Sequence, residues 1–228
     1  MIAGFDPSIT HFGWVLLDET KEGKDSLLSY GTFKTDPSDG LMVQRMILQR
    51  ERVKKFLIEN KIKFVAMEAP YWGDFNTELL YALNQFIHEI FLNLDLFVFY
   101  IQPSSLKKVA CPDLNHREIT KHHIVHQAKT ELDKHGEKKF SEHIADAYFA
   151  GKVGRIFYNW HIAKRFTDED LPEYLREIFS GKHIFVKGAK KGLTEYTGII
   201  YKENELFFDY TKQKRKTQTI INEVADGH

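Results

Sequence analysis

Residues 1–34 fall into three short apolar runs, 1–5, 13–17 and 27–33, parted by Asp6-Pro7-Ser8 and by Glu22-Gly23-Lys24-Asp25. Runs of this length between turn formers predict three strands in an antiparallel meander. The period then lengthens. Behind a cap at Ser38 or Asp39, apolar residues at Leu41, Met42, Met46, Ile47, Val53, Phe56 and Leu57 predict a helix over 41–59 with one buried stripe and a basic outer face. Phe64, Val65, Ala66 and Met67 form a continuous apolar strand that ends at Glu68 and is stopped by Ala69-Pro70. A second helix, over 76–94, is apolar on more than one side, with Leu79, Leu80, Leu83, Phe86, Ile87, Ile90, Phe91 and Leu94, so one side faces a sheet and the other needs a cover. Residues 96–101 lack alternation, as a central strand covered on both faces does. Helices over 115–134 and 141–160 follow.

Three strands, helix, strand, helix, strand, helix predicts an α/β fold, a mixed five-stranded sheet flanked by helices. It occupies residues 1–162, and residues 163–228 form an extension that begins with an acidic, loop-like linker at 166–172. Short strands at 184–187, 197–201 and 206–210, joined by glycine turns, make the extension β-rich.

Composition narrows the function classes. With 43% hydrophobic residues the chain is long enough for one packed domain plus the extension. Its longest apolar-rich stretch, 86–101, is broken by His88, Glu89, Asn93 and Asp95, short of the roughly 20 clean residues a bilayer span needs. No membrane span is expected, and Asp6 with no basic leader argues against a signal peptide, so a cytoplasmic protein is expected. The single cysteine, Cys111, offers neither an internal disulfide nor a Cys-rich metal site. The 32 basic residues balance 32 acidic ones, which leaves open a nucleic-acid partner whose binding depends on where charge lies.

Three acids sit where the predicted elements bring them together. Asp6 ends the first strand and Glu68 the fourth, which can be neighbours in a mixed sheet; Asp146 lies on the last helix of the domain, with His143 one turn before it on the same face. Each has an ordinary alternative: Asp before Pro-Ser forms turns, a strand-end Glu is solvated, and His143 with Asp146 can be a surface pair. Together, three hard oxygen donors and an imidazole suit Mg²⁺, with Mn²⁺ as substitute, better than zinc. A site of that kind fits phosphodiester hydrolysis.

The segments Gly4-Phe5-Asp6-Pro7-Ser8 with Gly13, Val65-Ala66-Met67-Glu68 and His143-Ile144-Ala145-Asp146-Ala147 resemble, in that order, the RuvC-type Holliday junction resolvases of the ribonuclease H-like superfamily. The likeness covers residues 1 to about 160. It implies a ribonuclease H-like sheet, a homodimer and a metal-dependent crossover junction endodeoxyribonuclease of DNA recombination and repair that cuts four-way branched DNA at paired symmetric positions. Asp6, Glu68 and Asp146 match the family's metal-binding acids, with Asp6 bridging the metals and water as nucleophile. His143 matches a position that is Asp or His, a metal ligand or a proton-transfer group. The family dimerises through the helix that here spans 76–94 and probes the junction with an aromatic at the position of Tyr71. Basic family positions match Lys107 or Lys108, and Lys121.

Read from the residues, Tyr71, Trp72 and Phe75 form an aromatic loop beside Glu68 that can stack on unpaired bases or pack as core. Lys107, Lys108, Arg117 and Lys121 are candidates for backbone phosphates. Between residues 182 and 216 nine basic residues face four acidic ones, and Gly188-Ala189-Lys190-Lys191-Gly192 resembles a phosphate-touching loop, so Lys190 and Lys191 join the DNA-binding candidates. Three other readings remain: a structure-selective nuclease on flaps or forks, a non-cutting branched-DNA-binding protein on the same fold, and an ATP-binding protein, since Asp6-Pro7-Ser8-Ile9-Thr10 also resembles the first phosphate loop of the actin and sugar-kinase superfamily. The last would need a second Asp-x-Gly loop, which the chain lacks.

Overall fold

The structure, a computed structural model, describes residues 1–69, 77–115, 117–132 and 140–179, together with the backbone of strand segments at 183–184, 194–195, 198–202 and 205–208. Strands β1 (Ile2–Asp6), β2 (His11–Leu17) and β3 (Leu27–Lys34) form the meander, followed by helix α1 (Met42–Glu59), β4 (Phe64–Glu68), α2 (Thr77–Asn93) and β5 (Phe97–Ile101). Helices α3 (Pro103–Ala110), α4 (Lys121–Leu132) and α5 (Glu142–Phe157) complete the predicted domain, and α5 continues into a π-helical turn, Tyr158–Ile162. Beyond it lie α6 (Glu173–Phe179) and the short strands β6 (His183–Ile184), β7 (Thr194–Glu195), β8 (Gly198–Lys202) and β9 (Glu205–Phe208).

The five predicted strands order as β3-β2-β1-β4-β5, with β1, β4 and β5 parallel. The sheet does not stop there: β8 pairs antiparallel with β5 and β9 with β8, so strands of the C-terminal extension lengthen the main sheet to seven. Their pairing gives the outer edge of β5 the hydrogen-bond partners that an open edge lacks.

Side chains alternate across the sheet, and both faces are buried. Ile2 of β1, Val15 and Leu17 of β2, Phe64 and Ala66 of β4, and Phe99 and Ile101 of β5 pack with α3, α4, α5 and α6. Ala3 and Phe5, Phe12 and Leu16, Val65 and Met67, and Val98 and Tyr100 pack with α1 and α2. Two buried faces explain why these strands read as unbroken apolar runs.

Helix α5 lies against β1, β2 and β4 almost backbone to backbone. A methyl group at Gly4 would fall 2.3 Å from the Ala147 carbonyl oxygen, one at Gly13 would fall 2.1 Å from that of His143, and one at Gly154 would fall 2.3 Å from the Ala66 Cβ. Glycine at these three places, on strands and helix alike, is what lets the helix sit so low.

Several expectations are corrected. The helix expected over 115–134 starts at Lys121, and α3 occupies a stretch after β5 to which no element was assigned. The segment 166–172 is not merely a linker, since Leu171 is buried with Leu175, Ile178 and Phe179 of α6 in the α5-side core. In α1, Met46, Val53, Phe56 and Leu57 are buried, but Met42 and Ile47, and Leu41 just before the helix, are exposed, as are Val43 and Ile58, so its exposed surface is partly apolar. No helix among the described residues is long and apolar enough to cross a membrane.

Candidate active site

Strand parity decides which face receives the acids. In β1, residues 2, 4 and 6 point toward α5, and in β4, residues 64, 66 and 68 do the same. Asp6 and Glu68 therefore end adjacent parallel strands on the α5 side, at the carboxyl edge where open α/β sheets place their sites. Ser141 caps α5 by accepting the Ile144 N–H at 3.3 Å, and the first turn it starts carries His143 and Asp146 over the same edge. His143 Nδ1 lies 2.6 Å from Asp6 Oδ2. Gly13, opposite Asp6 in the β1–β2 pairing, makes room for the His143 backbone. The four residues picked from sequence are thus brought together.

The electrostatics are those of anions crowded out of water. Burial first, and then the charge of Asp146, hold the Asp6 carboxyl well above the usual carboxylate range, against the pull of its hydrogen bond with Glu68 and of Lys121. Burial and the charges of Asp6 and Asp146 push Glu68 up as well. Burial raises Asp146 to about 6, although Lys121, His143 and Lys107 lie close enough to lower it. His143 is pulled down, chiefly by burial, with Glu142 opposing. The His143–Asp6 contact has ion-pair geometry, but burial opposes the charged form of both partners and so weakens its ionic part. The carboxyls of Asp6 and Glu68 share a hydrogen bond, which requires a proton on one of them. Among the described residues no three His, Cys, Asp or Glu side chains already stand as a metal shell.

These shifts set a pH dependence. A carboxyl whose folded pKa exceeds its unfolded one binds more protons in the native state between the two values, so stability falls as pH rises through that window. For Asp146 the window runs from 3.8 to about 6 and is worth on the order of 3 kcal/mol. His88, His143 and His161, lowered by burial, act with opposite sign in the same range, so the readout is the difference: in urea unfolding in EDTA, wild type should lose more stability, or gain less, between pH 4.5 and pH 7 than Asp146→Asn. Equal slopes for the two proteins would contradict the burial assigned to Asp146. The lowered carboxyls of Asp18, Asp36 and Asp170, held by hydrogen bonds to Thr20, Ser38 and Thr167, act with opposite sign at more acidic pH and are common to both proteins.

The basic candidates divide. Lys121 heads α4 and pairs with Glu142 at 2.9 Å; burial pulls its pKa down, but Glu142, Asp146 and Asp6 outweigh this and raise it. Lys107 is near enough to act on Asp146. Lys108 instead pairs with Glu177 of α6 at 2.9 Å, and Arg117 is exposed in the turn before α4. Tyr71, Trp72, Phe75, Lys190 and Lys191 lie outside the described residues. One neighbour was not foreseen: His11, the first residue of β2 and on the α5 side by strand parity, has its ring parallel to that of His143 with centroids 5.9 Å apart. Parity counted back from Gly13 was the signal that could have found it.

Neither a protein-family model nor a curated protein matches the chain by sequence. Solved structures do match. The structure of Thermus thermophilus RuvC in complex with a Holliday junction substrate aligns with a TM-score of 0.55 and 21% identity, over 70% of this chain and 95% of that one. The chain has the RuvC fold. A second structure of Thermus thermophilus RuvC aligns with a TM-score of 0.54 and 23% identity over the same shares.

Proposed function

We propose that the chain is a divalent-cation-dependent endonuclease that resolves four-way DNA junctions as a homodimer. The observation that carries the proposal is the convergence of Asp6, Glu68 and Asp146, three carboxyls whose ionisation is opposed by burial and by one another. Such a cluster is a poor way to stabilise a fold, and strongly shifted groups of this kind mark functional sites. The RuvC fold supports the junction as substrate, because RuvC has been solved with one.

The donor set fits a hard cation. Two carboxyls that share a proton, with a third close by, exchange that proton for Mg²⁺ or Mn²⁺ without a change of ligand chemistry. Asp6, Glu68 and Asp146 would hold it. When bound, the cation would activate a water for attack on the scissile phosphate and offset the negative charge that develops there. His143 orients Asp6 through Nδ1, which leaves Nε2 as the nitrogen that would carry a proton or meet a cation. Lys121 and Lys107 place positive charge beside the acids, where a DNA phosphate would approach. The homodimer rests on exposed apolar side chains of α2 (Leu79, Tyr81, Leu92), of the neighbouring α1 (Val43, Ile47) and of Leu41 just before it. A two-fold dimer would present two sites to two strands of a junction.

The test is cleavage of a synthetic four-way junction in Mg²⁺, with linear duplex, flap and fork as controls and the mass of the free protein measured by sedimentation. Paired symmetric nicks near the branch, made by a dimer, are expected. Tight junction binding without cutting in Mg²⁺ or Mn²⁺ would sink the nuclease, while preferential cutting of flaps or forks would keep the chemistry and discard the junction.

A further inference from the structure

Helix α1 carries a buried stripe of Met46, Val53, Phe56 and Leu57, and the stripe is interrupted by Gln49, which is fully buried. Its side-chain nitrogen donates to the carbonyls of Ile9 at 3.0 Å and Phe33 at 2.9 Å, with a longer 3.4 Å approach to that of Ser8. The reverse amide orientation would set an oxygen against three carbonyls, so the network fixes which atom faces them. The Gln49 carbonyl oxygen has no hydrogen-bond partner among the described residues, a cost that a hydrophobic residue at this place would avoid. One turn earlier, Arg45 is also buried and donates from Nε to the Thr35 hydroxyl at 3.2 Å and from Nη2 to the Thr35 carbonyl at 3.4 Å. Thr35 in turn donates its hydroxyl to the Ile9 carbonyl and its N–H to the Thr10 carbonyl at 2.9 Å.

Gln49, through the Ser8 and Ile9 carbonyls, and Thr35, through those of Ile9 and Thr10, both hold residues 8–10, the turn between Asp6 and His11, while the Phe33 bond ties Gln49 to β3 and the Arg45 bonds hold Thr35. The turn closes on itself through the His11 N–H, which donates to Ser8 Oγ at 3.3 Å. Its two ends meet one imidazole: Asp6 binds His143 Nδ1, and His11 lies parallel to the His143 ring. A shift of the turn would therefore move both neighbours of His143 at once. We infer that Gln49, together with Arg45 acting through Thr35, is a positioning residue that clamps the 8–10 turn from α1 and so holds Asp6 and His11 on His143. The inference rests on the proposed nuclease centre, and it assigns Gln49 no contact with substrate.

The test compares Gln49→Met, which keeps the volume and removes the donor, with Thr35→Val and Thr35→Ser, which remove and keep the hydroxyl. Single-turnover junction cleavage at saturating protein should fall about tenfold or more in Gln49→Met and Thr35→Val, the range that loss of a supporting hydrogen bond gives at other catalytic sites. Junction Kd should stay within about twofold. Thr35→Ser should cut like the wild type. In the free proteins the His11 and His143 ring resonances should shift in the first two variants and stay in place in Thr35→Ser. If Gln49→Met fails to fold, the threonine pair decides. An unchanged cleavage rate, or a loss that follows the folded fraction with unshifted ring resonances, would overturn the inference. A wild type that cuts no junction would instead remove the proposed function, and the ring resonances would then decide the clamp by themselves.

Discussion

The Asp6→Asn protein is expected to lose junction cleavage by about a thousandfold or more, to bind the junction as tightly as the wild type or tighter, and to melt a few degrees higher in metal-free buffer. The loss follows from Asp6 being the carboxylate against which the other three groups are arranged: Glu68 shares a hydrogen bond with it, Asp146 acts on it by charge, and His143 bonds it at 2.6 Å. An amide keeps the size and one acceptor but cannot offer two anionic oxygens to a cation. Several kcal/mol of transition-state stabilisation depend on that cation, and each 1.36 kcal/mol is tenfold in rate. Binding survives because one negative charge fewer faces the DNA. The gain in stability follows because the wild type confines carboxyls whose ionised forms are opposed by burial and by each other; about 1 kcal/mol is worth roughly 2–4 °C in a chain of this size. Mg²⁺ should reverse the order, raising the wild-type Tm and leaving that of Asp6→Asn in place. Cleavage within tenfold of wild type, or an equal Mg²⁺ shift in both proteins, would remove Asp6 from the cation site.

The site was legible because its chemistry is carried by residue type and strand parity. Asp6 and Glu68 each stand two residues beyond an inward-facing position, Gly4 and Ala66, so counting by twos along two apolar runs assigns both to one face. His143 and Asp146 are one helical turn apart, and that spacing needs no tertiary information. The succession of five strands and their helices along the chain followed from run lengths and turn residues in the same way, while their order in the sheet came from the structure.

What stayed hidden depends on partners that have no sequence signature. Gln49 reads as an ordinary polar residue of an amphipathic helix, since the carbonyls it binds belong to a turn 40 residues away and to a strand 16 away, and look the same in any sequence. Helix α3 is eight residues long, too short for periodicity to stand out, although Pro103 at its start and Leu106, Val109 and Ala110 on its buried side are helix signals. In α6 the acidic neighbours Asp168, Glu169, Asp170 and Glu173 drew the reading toward a linker, while Leu171, Leu175, Ile178 and Phe179 already carried the spacing of a buried stripe. The pairing of β8 with β5 joins residues about a hundred apart, and glycine turns give no hint of it. The exposed Met42 and Ile47 of α1, and Leu41 just before it, show the converse limit, since apolar periodicity marks a face without saying what covers it.

Gly13→Ala should abolish cleavage and destabilise the fold together, whereas Gly154→Ala should destabilise it and leave the folded molecules cutting at the wild-type rate. Both substitutions add one methyl under α5. At Gly13 the new carbon would sit 2.1 Å from the His143 carbonyl oxygen and 2.6 Å from its carbonyl carbon, and at Gly154 it would sit 2.3 Å from the Ala66 Cβ. Backbone atoms and a strand Cβ have no rotamer to give, so the helix must lift, at a cost of about 1–3 kcal/mol and sometimes more for overpacking. The two lifts differ in what they carry. Gly13 lies under the first turn of α5, which holds His143 and Asp146, and a displacement of about 1 Å in groups that must hold reacting atoms in line can cost a hundredfold in rate. Gly154 lies eleven residues further on, about 16 Å along the helix axis, over the Phe64 and Ala66 end of β4 and away from Glu68. Chemical denaturation gives the stability loss of each, and single-turnover cleavage, corrected for the folded fraction, separates them. If both variants keep the wild-type rate per folded molecule, the first turn of α5 does not set the site, and the placement of His143 and Asp146 over the ends of β1 and β4 has no bearing on the reaction.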